Sequence, residues 1–184
     1  AGNIPDISSG TFFLVDPLDG TREFITGGGD FTVNIALMKD FKPVMGIIYA
    51  PLTDQLYFGA DHQAFAILNN GPEQQIKVRA TPAEGLTVVA SKRSDAPEVV
   101  NEFLKGKKVK EIVNQSSSLK FCAVAAGRAD FYPRLGPTSE WDTAAGQAIL
   151  QAAGGQMTTL DGAPFPYGKV QKKFLNSGFV AFSS

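Results

Sequence analysis

Two aspartates, Asp16 and Asp19, follow an apolar run of four residues near the start of the chain. The run predicts a buried strand, which ends where carboxylates, a proline and a glycine come together. Pro17 stiffens this segment and Gly20 lets it turn sharply, so both carboxylates and an intervening carbonyl can point at one place. Such oxygens are the ligands that hard cations such as Mg²⁺ prefer. The spacing therefore indicates a cation site, followed by a helical turn over 21–25 whose free amides suit a phosphate.

The same segment is also typical of an ordinary turn, because Asp, Pro and Gly favour turns for local reasons. The residues alone leave both interpretations open. An EF-hand loop fits badly, because carboxylates do not alternate and the twelfth residue from Asp16 is Gly27 rather than Glu. The Asp-x-Asp-Gly-Thr phosphatase signature also fits badly, because two residues separate Asp16 from Asp19. The choice depends on other parts of the chain.

Asp142 is a further acid in a second informative segment. Apolar residues recur at helical spacing over 141–152, and two glycines follow as a helix end. Asp142 falls in the first turn, where the amide dipoles favour a negative group. With Ser139 three residues earlier it forms a capping-box pattern, so helix capping alone is the favoured explanation. A metal role follows only if Asp142 meets Asp16 and Asp19 in space.

The composition is that of an ordinary globular protein. The 184 residues, 43% of them hydrophobic, suit one large domain or two small lobes with a shared core. A net charge of −1 gives no basic field for nucleic acid, and no apolar run approaches membrane-spanning length. Cys122 is the only cysteine, which agrees with a reducing cytoplasm. His62 is the only histidine, so catalytic mechanisms that need two histidines fit badly.

The pattern of strands and helices changes near residue 82. Residues 1–82 predict an N-terminal lobe with the Asp-rich motif and an antiparallel meander, and residues 83–184 predict a C-terminal α/β lobe with a mixed sheet. The predicted strands are 12–15, 31–38, 44–50, 55–59, 63–68, 86–90, 129–132 and 179–182. The predicted helices are 96–104, 116–126 with a serine cap, and the one from residue 141, while 105–110 reads as a basic turn. The fold class is therefore layered α/β (α+β).

Two motifs together resemble the paired signatures of the inositol-monophosphatase superfamily, whose members are metal-dependent, lithium-sensitive phosphomonoesterases. They are Asp-Pro-Leu-Asp-Gly-Thr at 16–21 and Trp-Asp-Thr-Ala-Ala-Gly at 141–146. Within the superfamily, Ser-Ser-Ser-Leu-Lys-Phe-Cys at 116–122 and Phe-Tyr-Pro-Arg-Leu-Gly-Pro-Thr at 131–138 most resemble bacterial 3′(2′),5′-bisphosphate nucleotidases of the CysQ type. The likeness runs from about residue 12 to 182 and implies the sugar-phosphatase fold of this superfamily.

The resemblance assigns metal roles to four residues. It implies that Asp16 bridges two metal ions, that the Leu18 carbonyl and Asp19 complete their separate shells, and that Asp142 holds the second ion. Two hard cations about 3.5–4 Å apart can lower the pKa of a bound water and shield the leaving oxygen. Phosphoryl transfer depends mainly on positioning and charge neutralisation, so a site poor in histidine is compatible with it.

The resemblance also assigns substrate roles. It implies that the Gly20 and Thr21 amides receive the phosphate and that the Thr21 hydroxyl helps orient the attacking water. Ser117 and Lys120, one helical turn apart, would face a second phosphate or the nucleoside, and Arg134 would add a bidentate phosphate contact. The alternatives are a capping serine, a solvated lysine and a surface ion pair. The implied catalytic residues are Asp16, Asp19 and Thr21, and the implied substrate-binding residues are Leu18, Asp19, Gly20, Thr21, Ser117, Lys120, Arg134 and Asp142.

The sequence departs from the family pattern in two places. The family carries a Glu-Glu pair on an N-terminal segment, where it supplies a metal ligand and part of the water activation, and this sequence starts after that point. Glu23 follows the motif and does not replace the pair. We therefore expect a fragment without the N-terminal helices that cover the sheet, weak or inactive alone. The second departure lies at 91–95, where relatives often carry a substrate-side histidine and Ser94 or Arg93 must substitute.

The function that the resemblance implies is Mg²⁺-dependent hydrolysis of the 3′-phosphate of adenosine 3′,5′-bisphosphate to AMP and phosphate, with two or more Mg²⁺ ions. Phosphoadenosine phosphosulfate is an expected second substrate, and the expected location is the cytoplasm. One alternative is an inositol monophosphatase, which would show no preference for an adenine ring. Another is a non-catalytic domain that binds nucleotide or complements the missing N-terminal segment. A homodimer partner and a peripheral association with the inner membrane stay open.

Overall fold

The first part of the chain forms the predicted antiparallel meander. The computed structural model describes residues 4–91 and 97–183. Six strands form one sheet in which each strand pairs antiparallel with the next along the chain. They are β1 (Phe12–Asp19), β2 (Thr32–Lys39), β3 (Lys42–Ala50), β4 (Gln55–Ala60), β5 (Gln63–Leu68) and β6 (Gln74–Ile76). Short hairpin connections account for the order from β2 to β6, because a tight turn joins antiparallel strands, while a longer connection over residues 20–31 joins β1 to β2.

The second part of the chain forms the predicted mixed sheet. Its strands are β7 (Leu86–Ala90), β8 (Val109–Asn114), β9 (Phe131–Arg134), β11 (Gln156–Thr159) and β13 (Phe179–Phe182), while β10 (Thr138–Ser139) pairs with β12 (Leu175–Asn176) in a separate ribbon. The spatial order is β11-β13-β9-β7-β8. β7 runs parallel to β8 and β9, and the other two pairings are antiparallel. The prediction of a basic turn over 105–110 is wrong at its end, where β8 begins at Val109.

β8 escaped prediction because it is an edge strand. It pairs only with β7, and five of its six residues are exposed, so its apolar residues do not produce the alternation that marks a half-buried strand. The predicted strand 129–132 is likewise shifted, because β9 begins at Phe131 and runs through Pro133 to Arg134. In contrast, β5, β7 and β13 have the predicted bounds.

The α-helices α3 (Leu119–Ala125) and α4 (Glu140–Ala152) fill the space between the sheets. The other helices of the described residues are α1 (Thr21–Ile25) and α2 (Pro97–Phe103), with a 3₁₀ turn at Val170–Lys172. α4 packs on β1 to β5 and on α3, and α3 contacts β7, β9 and β13. The layers approach closely: a Cβ on Gly46 would lie 2.2 Å from the carbonyl oxygen of Ala145, so only glycine fits there. The buried cluster joins residues from both parts of the chain, and the division into lobes at residue 82 stays a prediction.

α3 begins later than the predicted helix of 116–126. Ser117 has a φ of 59°, in the left-handed region, so the helix cannot extend back through it. Ser118 is the N-cap residue but makes no side-chain capping hydrogen bond, so the expected serine cap is wrong. Its hydroxyl is engaged elsewhere, as described below. Over residues 4–91 and 97–183, no helix has the length and apolar character needed to cross a membrane.

Candidate active site

β1 continues past the point where the sequence predicts its end. It runs through Pro17 to Asp19, and its pairing with β2 shifts register between Asp16, opposite Asn34, and Asp19, opposite Thr32. A bulge accommodates a proline, which cannot donate to the ladder, and it changes the direction of the neighbouring side chains. Asp16 is buried, and its Oδ1 accepts a hydrogen bond from the amide of Leu18 at 2.9 Å. The irregular end of β1 therefore replaces the simple turn.

Asp19 is held by two serines that are distant in the sequence. Its Oδ2 accepts hydrogen bonds from the hydroxyl of Ser117, the amide of Ser118 and the hydroxyl of Ser118, each at 2.7 Å. Ser118 Oγ in turn accepts a hydrogen bond from Asn34 Nδ2 at 2.7 Å. These bonds explain why Ser118 does not cap α3. Because the three bonds to Asp19 all go to the same oxygen, Oδ2, they fix the orientation of its carboxylate through that oxygen.

Asp142 occupies the predicted first turn of α4 and fulfils the capping pattern. The amide of Ser139 donates to Asp142 Oδ2 at 2.7 Å. A carboxylate has two oxygens, so capping through one is compatible with a second role for the other. Capping and participation in a site are therefore not alternatives for this residue.

The three aspartates meet in space. One carboxylate oxygen from each of Asp16, Asp19 and Asp142 lies within 4.8 Å of the other two. Burial and the negative charges of the other two aspartates raise the pKa of Asp142 to about 7, against the opposing amide of Ser139. Burial and the charge of Asp19 also raise the pKa of Asp16, against the opposing amide of Leu18. Three acidic oxygens at this separation form a donor set that suits a hard divalent cation, which would relieve the repulsion.

The turn after β1 places Gly20 and Thr21 beside this cluster. Gly20 has a φ of 85°, and a Cβ there would lie 2.7 Å from the carbonyl oxygen of Asp30, so no other residue fits without a shift. The hydroxyl of Thr21 donates to the carbonyl of Leu18 at 3.0 Å. This bond fixes the Leu18 carbonyl and leaves the lone pairs of Thr21 Oγ1 available to accept a further hydrogen bond.

A cleft of about 230 Å³ opens next to the aspartates. Its lining includes six of the predicted site residues, while Asp16, Leu18 and Thr21 lie outside it. The predicted residues that line it are Asp19, Gly20, Ser117, Lys120, Arg134 and Asp142, of which Asp19 and Asp142 also belong to the carboxylate cluster. Most of the other lining residues are Phe121, Tyr132, Ser91, Ser116, Thr138 and Thr143.

Lys120 is buried rather than solvated. Its Nζ donates to the carbonyl of Ser117 at 2.8 Å and lies 5.1 Å from the centre of the Tyr132 ring. Burial lowers the pKa of Lys120 to about 8, although the charge of Asp19 opposes this. The expected helical face shared by Ser117 and Lys120 does not form, because Ser117 precedes the helix. Both residues nevertheless line the same cleft.

Arg134 lies at the end of β9, on the wall of the cleft. Its Nη2 donates to the carbonyl of Pro137 at 3.0 Å. This contact holds the loop that leads to α4. The segment 92–95, where Ser94 or Arg93 was expected to take the place of a histidine, lies outside the described residues. His62 is exposed in the turn between β4 and β5, as expected of a surface histidine.

Sequence reasoning missed the polar residues of β2 that support the site. Thr32 and Asn34 are fully buried, and Thr32 Oγ1 lies 2.6 Å from Ser117 Oγ. Asn34 Nδ2 contacts Ser118 and, at 3.5 Å, Asp19 Oδ2. Their signal in the sequence is that they occupy inward positions of a strand whose other inward residues are apolar. A buried polar residue at such a position indicates a required hydrogen bond.

Comparison with known proteins agrees with this geometry. The chain matches the Inositol monophosphatase family over residues 2–179. It is 45% identical over 169 residues to the 3′(2′),5′-bisphosphate nucleotidase CysQ of Salmonella typhimurium and 44% identical to that of Escherichia coli. Each alignment covers 91% of this chain and 66% of the relative, so the chain spans just under two thirds of these relatives.

Solved structures show the same architecture. The crystal structure of CysQ from Bacteroides thetaiotaomicron aligns with a TM-score of 0.81 at 36% identity, covering 95% of this chain and 70% of that one. An inositol monophosphatase from Anabaena aligns with a TM-score of 0.79 at 27% identity, covering 100% of this chain and 71% of that one. This chain therefore combines the layered fold with the aspartate motifs at 16–21 and 141–146, as its resemblance to the superfamily implied. The chain belongs to the inositol monophosphatase family.

Proposed function

We propose that the protein is a Mg²⁺-dependent phosphomonoesterase that hydrolyses the 3′-phosphate of adenosine 3′,5′-bisphosphate, giving AMP and phosphate. The observation that carries this proposal is the approach of three carboxylates to within 4.8 Å of one another beside a cleft with cationic side chains. The substrate is proposed from the names of the bisphosphate nucleotidases that the chain resembles at 44–45% identity.

The residues present fit divalent cations. Asp16, Asp19 and Asp142 would hold them, with the Leu18 carbonyl as a neutral ligand. When bound, two Mg²⁺ ions would neutralise the carboxylates and the phosphate and would lower the pKa of a water. The raised pKa values of Asp16 and Asp142 support this assignment, because burial and the neighbouring carboxylates disfavour their charged forms and no cation among the described residues offsets this.

The residues of the chain itself would act by positioning. The hydrogen bonds from Ser117 and Ser118 keep Asp19 in one orientation, so it needs no reorganisation when substrate arrives. Thr21 donates to the Leu18 carbonyl and can accept a hydrogen bond from the attacking water. The amides of Gly20 and Thr21 would receive the phosphate oxygens. Such positioning and charge neutralisation are the main requirements of phosphoryl transfer.

The cleft wall would bind the rest of the substrate. We assign the nucleoside and its second phosphate to Ser117, Lys120 and Arg134, which line the cleft beside the carboxylates. Phe121 and Tyr132 line it as well, but their rings are almost fully buried and packed edge to face, so they support the wall rather than offer a free face. Phosphoadenosine phosphosulfate has the same 3′-phosphate and is proposed as a second substrate. We also propose that the protein is located in the cytoplasm. A homodimer partner and an N-terminal segment that completes the site stay predictions.

The test is phosphate release by the full-length protein from adenosine 3′,5′-bisphosphate, with Mg²⁺ and with a chelator. We expect release that requires Mg²⁺ and proceeds faster than with inositol 1-phosphate at the same concentration. Faster hydrolysis of inositol 1-phosphate would favour the second candidate, an inositol monophosphatase, which the alignment with the Anabaena structure supports. Binding of nucleotide by calorimetry with no turnover of either substrate would contradict both and would indicate a binding protein.

A further inference from the structure

Arg22 differs from the other two cations of the cleft. Lys120 Nζ donates to the carbonyl of Ser117, and Arg134 Nη2 donates to the carbonyl of Pro137. Arg22 lines the same cleft and is exposed, but within residues 4–91 and 97–183 its guanidinium takes part in no hydrogen bond, ion pair or ring contact. Of these three cations, it is therefore the one with all of its donors available to a ligand.

The short helix α1 holds Arg22 at the cleft. The amide of Phe24 donates to the carbonyl of Gly20 at 3.0 Å, and the rings of Phe24 and Phe31 meet edge to face at 5.1 Å. The hydroxyl of Ser116 donates to Glu23 Oε1 at 3.1 Å, which ties the same turn to the segment before α3. The backbone of Arg22 is thus fixed, while its side chain extends to solvent at the cleft.

The chemistry of a guanidinium suits a second phosphate. It stays protonated at all relevant pH values and presents a fork of donors that matches two phosphate oxygens. The reacting phosphate would lie against the carboxylate cluster, where divalent ions balance its charge. An additional cation in the same cleft, with no partner in the part of the chain that the structure describes, then matches a further anionic group on the substrate.

We propose that Arg22 binds the phosphate that is not cleaved and is a specificity-determining residue that favours bisphosphates over monophosphates. This inference rests on the proposed function and adds a residue to it. It gives the segment around α1 two contacts with a bisphosphate. The amides of Gly20 and Thr21 would receive the phosphate that is cleaved, and the Arg22 side chain would bind the other one.

The experiment compares Arg22→Met, Arg22→Lys and the control Lys39→Met in the full-length protein. Lys39 is an exposed cation at the end of β2 that does not line the cleft. For each protein, kcat/KM is measured with adenosine 3′,5′-bisphosphate and with adenosine 3′-monophosphate, which lacks only the second phosphate. We expect the ratio of the two values to fall about tenfold in Arg22→Met, the size of one charged hydrogen-bond pair. A smaller fall is expected in Arg22→Lys, which keeps the charge without the fork, and none in Lys39→Met.

An unchanged ratio in Arg22→Met, in a protein that hydrolyses both substrates, would overturn the inference and leave the proposed function intact. A protein that hydrolyses neither substrate before substitution would overturn the proposed function. In that case calorimetry with AMP, which carries the uncleaved phosphate, decides about Arg22. AMP affinity about tenfold weaker in Arg22→Met would support its contact with the phosphate, and equal affinity would refute it.

Discussion

Asp130 and the cluster of Asp16, Asp19 and Asp142 have opposite surroundings. Asp130 is buried and forms a bidentate ion pair with Arg79 at 2.7 and 2.9 Å, with the amide of Thr87 as a further donor at 2.7 Å. Burial alone would raise the pKa of Asp130, but the hydrogen bonds from Arg79 and Thr87 outweigh it and the pKa lies below its usual range. Asp16 and Asp142, in contrast, have raised pKa values.

The difference lies in what balances the charge. The protein supplies a cation for Asp130, so this carboxylate links the segment after β6 to the second sheet and needs nothing from solution. The cluster of Asp16, Asp19 and Asp142 receives amide and hydroxyl donors, but its acids repel one another. A fold keeps such uncompensated charge where function requires it, and here a divalent cation would complete the site.

The largest expected effect follows from removing one charge of the cluster. Asp142→Asn retains an oxygen that can accept from Ser139 and cap α4, but it loses the negative charge. We expect kcat/KM with Mg²⁺ to fall on the order of 10²-fold or more, at least the size of losing a supporting metal contact. The unfolding temperature should stay the same or rise, because repulsion is relieved.

The control for this variant is Asp61→Asn, which changes an exposed aspartate in the turn between β4 and β5. It should leave phosphate release unchanged. Full activity of Asp142→Asn would contradict the assignment of Asp142 to the metal site and would leave it a capping residue only.

The partnered aspartate should respond in the opposite way. Arg79→Met leaves Asp130 buried without its cation, and we expect the free energy of unfolding to fall by about 2 kcal/mol. The figure is below that for a fully buried pair, because the Arg79 side chain is 37% exposed. Urea unfolding measures the loss, and kcat per folded molecule should be retained. A loss of activity without a loss of stability would remove the contrast between Asp130 and the carboxylate cluster.

A smaller effect is expected from the donors that orient Asp19. Ser118→Ala removes one of the three hydrogen bonds to Asp19 Oδ2. We expect the Mg²⁺ concentration for half-maximal activity to rise about tenfold, because supporting contacts tune metal affinity by 10- to 100-fold. Ser8→Ala, an exposed loop serine, is the control. An unchanged Mg²⁺ dependence would show that the other two donors suffice.

A further expected effect is a dependence of stability on pH without metal. The pKa of Asp142 rises from 3.8 to about 7 on folding, so between these values the folded state binds more protons than the unfolded state. Its contribution to the free energy of unfolding therefore falls as pH rises from about 4 to about 7. Thermal unfolding with chelator should show this slope, and Asp142→Asn should reduce it. A slope that Asp142→Asn leaves unchanged would contradict the pKa shift.

Local patterns predicted much of the fold because they depend on neighbours in the chain. The strands at 63–68, 86–90 and 179–182 and the turn of helix at 21–25 have the predicted bounds. β8 was missed, since an edge strand with exposed residues lacks the alternation on which the prediction depends. The start of the helix near Ser117 was misplaced because the serines of this segment bond to Asp19 rather than to the helix amides.

The sequence by itself determined the types of the acidic residues, their two motifs and the short elements that carry them. The tertiary structure decided that Asp142 reaches the end of β1, that Ser117 and Ser118 turn toward Asp19, and that Lys120 is buried. These contacts join residues far apart in the chain. They exist because α3 and α4 are packed between two sheets, and such packing depends on the summed burial of the whole core rather than on any local pattern.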